Sequence, residues 1–175
     1  YGTYRAMQKA LEAGKVRAIG LSNFVDARFV DLVENMEVKP AVLQLETHVF
    51  SQQKRMRELM APYGTRLMAW APLAEGRNGI FTHPTLTVIG AKYGKTAAQT
   101  ALRFLMAEDV IAIPKSVHRE RLVENFSIDD FELSAEDLDA IRALDGGKPM
   151  FADFNDPTLA KFLLEYDAKF NPERQ

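Results

Sequence analysis

Lys115, Ser116, Arg119 and Arg121 crowd into the stretch Ile113 to Asn125, directly after the apolar run Val110-Ile111-Ala112-Ile113. The run reads as a buried strand, and Pro114 forbids it from continuing, so the chain must turn there. Ser116 is placed to cap a following helix. On that helix Arg121, Glu124 and Asn125 share a side, because positions three and four apart lie on one face. A strand end then offers Lys115 and Ser116 beside a helix start, where free N–H groups, the positive end of the helix dipole, an ammonium and a guanidinium converge. That is the chemistry of an anion pocket in which a phosphate would sit. Taken singly, Lys115, Arg119 and Arg121 would ordinarily be solvated surface charges; their arrangement carries the reading.

The background against which this cluster stands is nearly neutral. A net charge of −2 and 47% hydrophobic residues in 175 describe a globular chain able to bury a sizeable core. Such a balance argues against nucleic-acid or anionic-membrane partners and for a small anion at the local cluster. Cysteine is absent, which removes disulfides and thiolate metal sites and suits a cytoplasmic protein. There is no signal-peptide pattern and no apolar run long enough to span a bilayer. Tyr1 opens the chain with helical periodicity already running through Tyr4, Met7 and Leu11, which points to a cut in a longer chain.

The elements that must position the cluster alternate. Helix is expected at Tyr4 to Ala13, then strand at Lys15 to Leu21 closed by Ser22-Asn23-Phe24, and helix at Asp26 to Asn35. A second strand, Ala41 to Glu46, sets Gln44 and Glu46 on one face and Leu43 and Leu45 on the other. Helix follows at Gln52 to Ala61, strand at Arg66 to Pro72, and an irregular glycine-bearing loop from Leu73 to Phe81. Helices at Pro84 to Tyr93 and Ala97 to Leu105 come next, the latter with a Thr96 and Gln99 capping box, and then the fourth strand. Ser134 and Asp137 start another helix, ended by Gly146-Gly147, and an aromatic tail from 148 to 175 is expected to pack on the rest. Strands rich in Val, Ile, Leu and Ala, alternating with helices, define a parallel α/β sheet. Polar residues recur at the strand ends, at Ser22, Asn23, Gln44, Trp70, Lys115 and Ser116, where parallel α/β folds build their sites. Pattern alone leaves an open sheet and a barrel both possible.

Three segments carry a resemblance: Gly-Lys-Val-Arg-Ala-Ile-Gly-Leu-Ser-Asn-Phe (14–24), Ala-Trp-Ala-Pro-Leu (69–73), and Ile-Pro-Lys-Ser followed by Arg121, Glu124 and Asn125. In this order they resemble the aldo-keto reductase family, as do Gln44-Leu45-Glu46 and the stretch from Lys95 to Arg103. The resemblance implies a parallel (β/α)8 TIM barrel that binds NADP(H) and reduces aldehydes or ketones to alcohols. This chain would supply the last four strands, with the aromatic tail helping to line the substrate mouth. By the same resemblance Ser22, Asn23 and Gln44 would meet the nicotinamide carboxamide, with Trp70 stacking on the ring. Backbone groups around Ala71 and Leu73 would lie near the pyrophosphate. Lys115, Ser116 and Arg121 would hold the 2′-phosphate, with Glu124 and Asn125 towards the adenine.

No catalytic residue is expected here, because the family's aspartate, tyrosine, lysine and histidine lie on early strands. Tyr63 and Tyr93 fit turns and helix ends, and His48, His83 and His118, as lone histidines, read as structural. No metal ligands are expected. The expected partners are a small carbonyl substrate and either the other half of the barrel or a second copy of this chain. Two alternatives remain: a self-associating half-barrel that binds nucleotide or serves a structural role without reductase activity, and a different parallel α/β phosphate binder.

Overall fold

Four short aliphatic runs pair into one parallel sheet: β1 (Gly20–Ser22), β2 (Val42–Glu46), β3 (Arg66–Trp70) and β4 (Ile111–Ala112), in the spatial order β1-β2-β3-β4. The computed structural model describes the backbone of residues 1–170 and the side chains as far as residue 166. Helices alternate with the strands: α1 (Gly2–Glu12), α2 (Ala27–Asn35), α3 (Lys54–Met60), α4 (Pro84–Lys92), α5 (Ala97–Ala107), α6 (Arg119–Phe126), α7 (Ala135–Arg142) and α8 (Pro157–Phe170). Among the described residues the expected α/β alternation and four strands are observed, and these strands pair in parallel throughout.

The register explains how one chain makes both a core and a site. Leu21 lies opposite Leu43 and Leu43 opposite Leu67, while Leu45 faces Ala69. This set is buried together with Phe29, Leu32 and Val33 of α2, Met56 and Met60 of α3, and Phe104 and Leu105 of α5. Leu43 is completely inaccessible, and a leucine so buried contributes about 2 kcal/mol. Ser22, Gln44 and Met68 form the alternate row, exposed or half-buried on the other face. The helix starts follow their side chains. Thr96 Oγ1 accepts from Gln99 N at 3.2 Å while Gln99 Oε1 accepts from Thr96 N at 3.1 Å, and Ser134 Oγ accepts from Asp137 N at 3.2 Å.

Two expectations are corrected. β1 is shorter than the expected Lys15 to Leu21: Lys15, Val16 and Arg17 lie exposed before the ladder begins at Gly20. Ser116 does not cap α6: His118 occupies the cap position, and Ser116 Oγ instead accepts from His118 N at 3.1 Å, a local turn two residues ahead of the helix. Among the described residues, the tail meets the rest of the chain at its start. Met150 joins the core periphery, whereas Phe162, Leu163, Leu164 and Tyr166 of α8 are exposed. The Phe170 side chain and residues 171–175 lie outside what is described.

At Gly20 the sheet leaves no room for a side chain. A Cβ there would stand 2.6 Å from Val42 Cγ2 and 2.7 Å from Val42 O, and that carbonyl belongs to the ladder and cannot yield. Gly20→Ala is expected to cost about 2 kcal/mol by overpacking, read as a lower urea midpoint. Gly2→Ala, which meets nothing within 4 Å, is the control that should leave the midpoint unmoved.

Candidate functional site

Backbone strain gathers where the strands end. Asn23, Asp26, Ala71, Ala74, Glu75 and Asn78 all hold positive φ without being glycine, between 47° and 59°. Such conformations persist where surrounding structure over-determines them, typically near sites. Asn23 is held from both sides: its N–H donates to Gln44 O at 2.9 Å, and its Oδ1 accepts from Trp70 Nε1 at 2.9 Å. An indole N–H can only donate, so the amide must present its oxygen to Trp70 and its Nδ2 donors elsewhere. Ser22 pairs with Gln44 and Glu46 with Trp70, so Ser22, Asn23, Gln44 and Trp70 sit as neighbours on the open face at the C-terminal strand ends. Ala71 and Leu73 continue from Trp70 into the irregular segment Ala74–Gly79.

A second group surrounds a cavity of about 530 Å³ beyond β4. Leu73, Lys115, Ser116, Arg121, Glu124 and Asn125, all singled out from the sequence, line it. Neither Lys115 nor Arg121 has a carboxylate within ion-pair distance among the described residues. Glu124 is turned aside, its Oε1 accepting from Thr96 Oγ1 at 2.6 Å. Phe81, Thr96 and His118 also line the cavity and were missed. The position of His118 between Ser116 and Arg121 was the available signal; its solitary occurrence concealed it.

Glu46 ties the start of the tail to this face. Its carboxylate accepts from Met150 N at 2.5 Å, Phe151 N at 3.1 Å and His48 Nε2 at 3.2 Å, with the side chain 3% exposed. Burial pushes the Glu46 pKa up, but these three donors outweigh it and the net shift is downward. His48 is fully buried and serves this network, as the structural reading expects. Phe151 packs on Trp70 with ring centroids 5.7 Å apart, and the Arg77 guanidinium lies 4.6 Å from the Phe151 centroid. Asn155 Nδ2 donates to Asp26 Oδ2 at 2.6 Å, so the segment bridges the strand ends at both its beginning and its end. Among the described residues no cluster of three or more metal-ligating side chains occurs, and no helix is long and apolar enough to cross a membrane.

The family model described as Aldo/keto reductase family matches residues 2–146, and the chain belongs to that family. It is similar to the glyoxal reductase of Bacillus subtilis (strain 168), 42% identical over 142 residues, which cover 81% of this chain and 51% of that protein. It is also similar to the NAD(P)H-dependent D-xylose reductase I,II of Candida tropicalis, 37% identical over 89% of this chain and 50% of the relative. The chain therefore spans about half the length of the curated relatives it matches. An aldo-keto reductase from a Medee basin deep-sea metagenome library superposes with a TM-score of 0.84 at 38% identity, covering 88% of this chain and 57% of that one. A Bombyx mori aldo-keto reductase solved in complex with NADP superposes at 0.78 with 30% identity, over 88% and 53%. The four-stranded parallel sheet is accordingly part of a (β/α)8 barrel.

Removing the carboxylate should free the strap. Glu46→Ala is expected to lose hydrogen-exchange protection at the Met150 and Phe151 amides while the β2 and β3 amides keep theirs. Because the folded pKa is depressed, this anchoring is present above the unfolded glutamate value near 4.5 and is lost as pH falls through the lower folded value. An exchange profile across pH 5 to about 2.5 checks the direction.

Proposed function

We propose that this chain supplies the cofactor-binding half of an NADPH-dependent reductase that converts aldehydes or ketones to alcohols. The observation that carries the reading is the two-ended site along the C-terminal strand ends, with Asn23 locked to Trp70 at one end and Lys115, Ser116 and Arg121 around a cavity at the other. The residues fit the cofactor: an ammonium, a hydroxyl and a guanidinium without carboxylate partners suit a 2′-phosphate, and flat Trp70 suits a nicotinamide. When bound, NADPH supplies the hydride that reduces the carbonyl carbon.

Each side chain then has one task. Asn23 offers Nδ2 donors to the carboxamide oxygen, its orientation fixed by Trp70, while Ser22 and Gln44 satisfy the remaining amide groups. Trp70 sets the plane of the ring. Backbone groups of Ala71 and Leu73 take the pyrophosphate, and Glu124 and Asn125 border the adenine. Phe151 forms an apolar wall against Trp70 on the substrate side.

The proton that completes the reduction is assigned to a group outside the described residues. Tyr63 donates to Glu34 and Tyr1 to Asp31, and each of these carboxylate hydrogen bonds raises the phenol pKa, the wrong direction for a proton donor. Tyr93 donates to Asp137 at 2.7 Å and Tyr4 to Val38 O at 3.1 Å. Among the described residues β4 has one neighbour, and beside it a groove of about 540 Å³ runs between Leu102, Met106, Leu122 and Phe126. Further strands and helices of the barrel would cover it. Phe126 at 84% exposure favours a second reading, in which two copies pair at this edge as a nucleotide-binding module without reductase activity. The mass in solution separates a complete barrel in one polypeptide from a dimer of this chain.

Lys115→Ala with Arg121→Ala is expected to weaken NADPH binding about 100-fold, from two lost charge-assisted contacts, and NADH binding by less than about threefold. Equal losses for both nucleotides would sink the 2′-phosphate assignment. Phe151→Ala should raise KM for carbonyl substrates while leaving the NADPH dissociation constant in place; a change confined to cofactor affinity would move Phe151 off the substrate wall.

A further inference from the structure

Asn78 precedes Gly79 in the exposed segment after β3, and no other asparagine of the chain precedes a glycine. An asparagine deamidates when the backbone nitrogen of the next residue attacks its side-chain carbonyl carbon, and a glycine there puts no Cβ in the way. Asn35 and Asn125 precede the bulky Met36 and Phe126, and Asn23 precedes Phe24 and has its amide oxygen held by Trp70. The amide of Asn78 is held more weakly: its Nδ2 donates to Met150 Sδ at 3.5 Å, on the surface. We propose that Asn78 is a site of spontaneous deamidation and that this change loosens the strap from Met150 to Asn155. The inference does not depend on the nucleotide reading above.

The reaction needs only water. The Gly79 nitrogen loses its proton and bonds to Asn78 Cγ, the Cγ–Nδ2 bond breaks, and ammonia leaves behind a cyclic imide. Water then adds to one imide carbonyl or the other and opens the ring to aspartate or isoaspartate. Nothing is oxidised or reduced, and a neutral amide becomes a carboxylate. The local backbone favours the attack. Asn78 stands at φ 54° and ψ 27°, in a run where Ala74, Glu75, Gly76 and Gly79 also hold positive φ. Rotation about its ψ brings the Gly79 nitrogen towards Cγ and leaves a strained conformation rather than entering one. Residues Glu75 to Gly79 are exposed, so water reaches the imide. Asp145-Gly146 has the same spacing but is closed to this route. Gly146 N donates to Phe50 O at 2.8 Å, and Asp145 Oδ1 accepts from Gln52 N at 3.1 Å and Gly147 N at 3.2 Å.

The consequence follows from what Asn78 touches. Two consecutive residues fasten the segment after β3 to two consecutive residues of the strap, Asn78 to Met150 and Arg77 to Phe151, with the guanidinium 4.6 Å from the ring centroid. A carboxylate at position 78 has no N–H to give to the sulfur. It also sets a negative charge beside Arg77, whose present anionic neighbour, Glu75, lies 3.9 Å away with both side chains more than half exposed. The guanidinium is then drawn off the Phe151 ring towards its own neighbour. Isoaspartate adds a backbone methylene and undoes the turn as well. Glu46 still holds the Met150 and Phe151 amides, so the strap is loosened from one side and not released.

The test is to age the intact protein at mildly alkaline pH and physiological temperature and to follow it by peptide mass mapping and amide hydrogen exchange. The peptide carrying Asn78 should gain about 1 Da before the peptides carrying Asn35 and Asn125 do. In the deamidated fraction, exchange at the Phe151 amide should be about threefold faster, the loss expected for one exposed cation–π contact. Asn78→Asp should show the faster exchange without ageing. Asn78→Gln, whose longer side chain would have to close a larger ring, should keep both its mass and the slow exchange through the same treatment. If Asn78 keeps its amide for as long as Asn35 and Asn125 keep theirs, the site assignment is overturned. If Asn78 deamidates while Phe151 exchanges at the original rate both in the aged protein and in Asn78→Asp, the link to the strap is overturned. Neither result bears on the cofactor reading, which stands or falls with Lys115→Ala and Arg121→Ala.

Discussion

A slip of one residue between β2 and β3 would put Leu45 rather than Glu46 opposite Trp70 and turn the leucine row towards the open face. Strand side chains alternate with a period of two, so pairing register is the constraint on which everything else rests. As observed, Leu43 and Leu45 are sealed under α2, α3 and α5, which holds the register, and the same pairing places Ser22 beside Gln44 and Glu46 beside Trp70. Core and site are two faces of one ladder. Gly20 shows how tightly it is drawn, since its backbone approaches Val42 more closely than any side chain permits.

From that ladder the strand ends inherit their precision. Asn23 leaves β1 with φ of 59°, and Ala71 leaves β3 with φ of 51°, conformations that cost energy for residues with a Cβ. The hydrogen bond from Trp70 Nε1 to Asn23 Oδ1 spans 47 positions of sequence and ties these two exits together. Strain at each exit is therefore held by the other, and the hydrogen bond fixes the relative geometry of the amide and the indole.

Much of this was legible in the residues. Aliphatic runs alternating with helical periodicity announced the parallel sheet, and Thr96 with Gln99 and Ser134 with Asp137 marked helix starts because a side chain oxygen three residues before an N–H is a local device that needs no tertiary context. Lys115, Ser116 and Arg121 do meet at one cavity. What escaped depends on geometry beyond local pattern. Ser116 has the right type for a cap, but a hydroxyl can also close a turn two residues on, and only the path of the backbone decides between them. His118 was set aside because a lone histidine has no periodicity to betray its direction. The later start of β1 escaped because Lys15 to Arg17 have branched and long side chains that would have suited a paired strand equally well. The exposed apolar residues of α8 look in sequence like those of a core helix; composition records that a surface is apolar and says nothing about what covers it.

The buried pair at the end of β2 links the start of the tail to the strand ends. Phe50 N donates to His48 Nδ1 at 3.2 Å, so that nitrogen must accept, and the ring carries its proton on Nε2, towards Glu46. Glu46 is then surrounded by three donors, His48 Nε2 and the amides of Met150 and Phe151, and together they hold its pKa below the ordinary value although burial pushes it up. Two positions earlier on the same strand face lies Gln44, and opposite Glu46 lies Trp70 with Phe151 upon it. A displacement of the strap by the loss of one donor must therefore be felt first at Phe151, next at the ring of Trp70, and through its indole N–H at Asn23. The segment after α7 and the amide proposed to orient the nicotinamide are joined through Phe151 and Trp70, and Glu46 holds the segment in place by its Met150 and Phe151 amides.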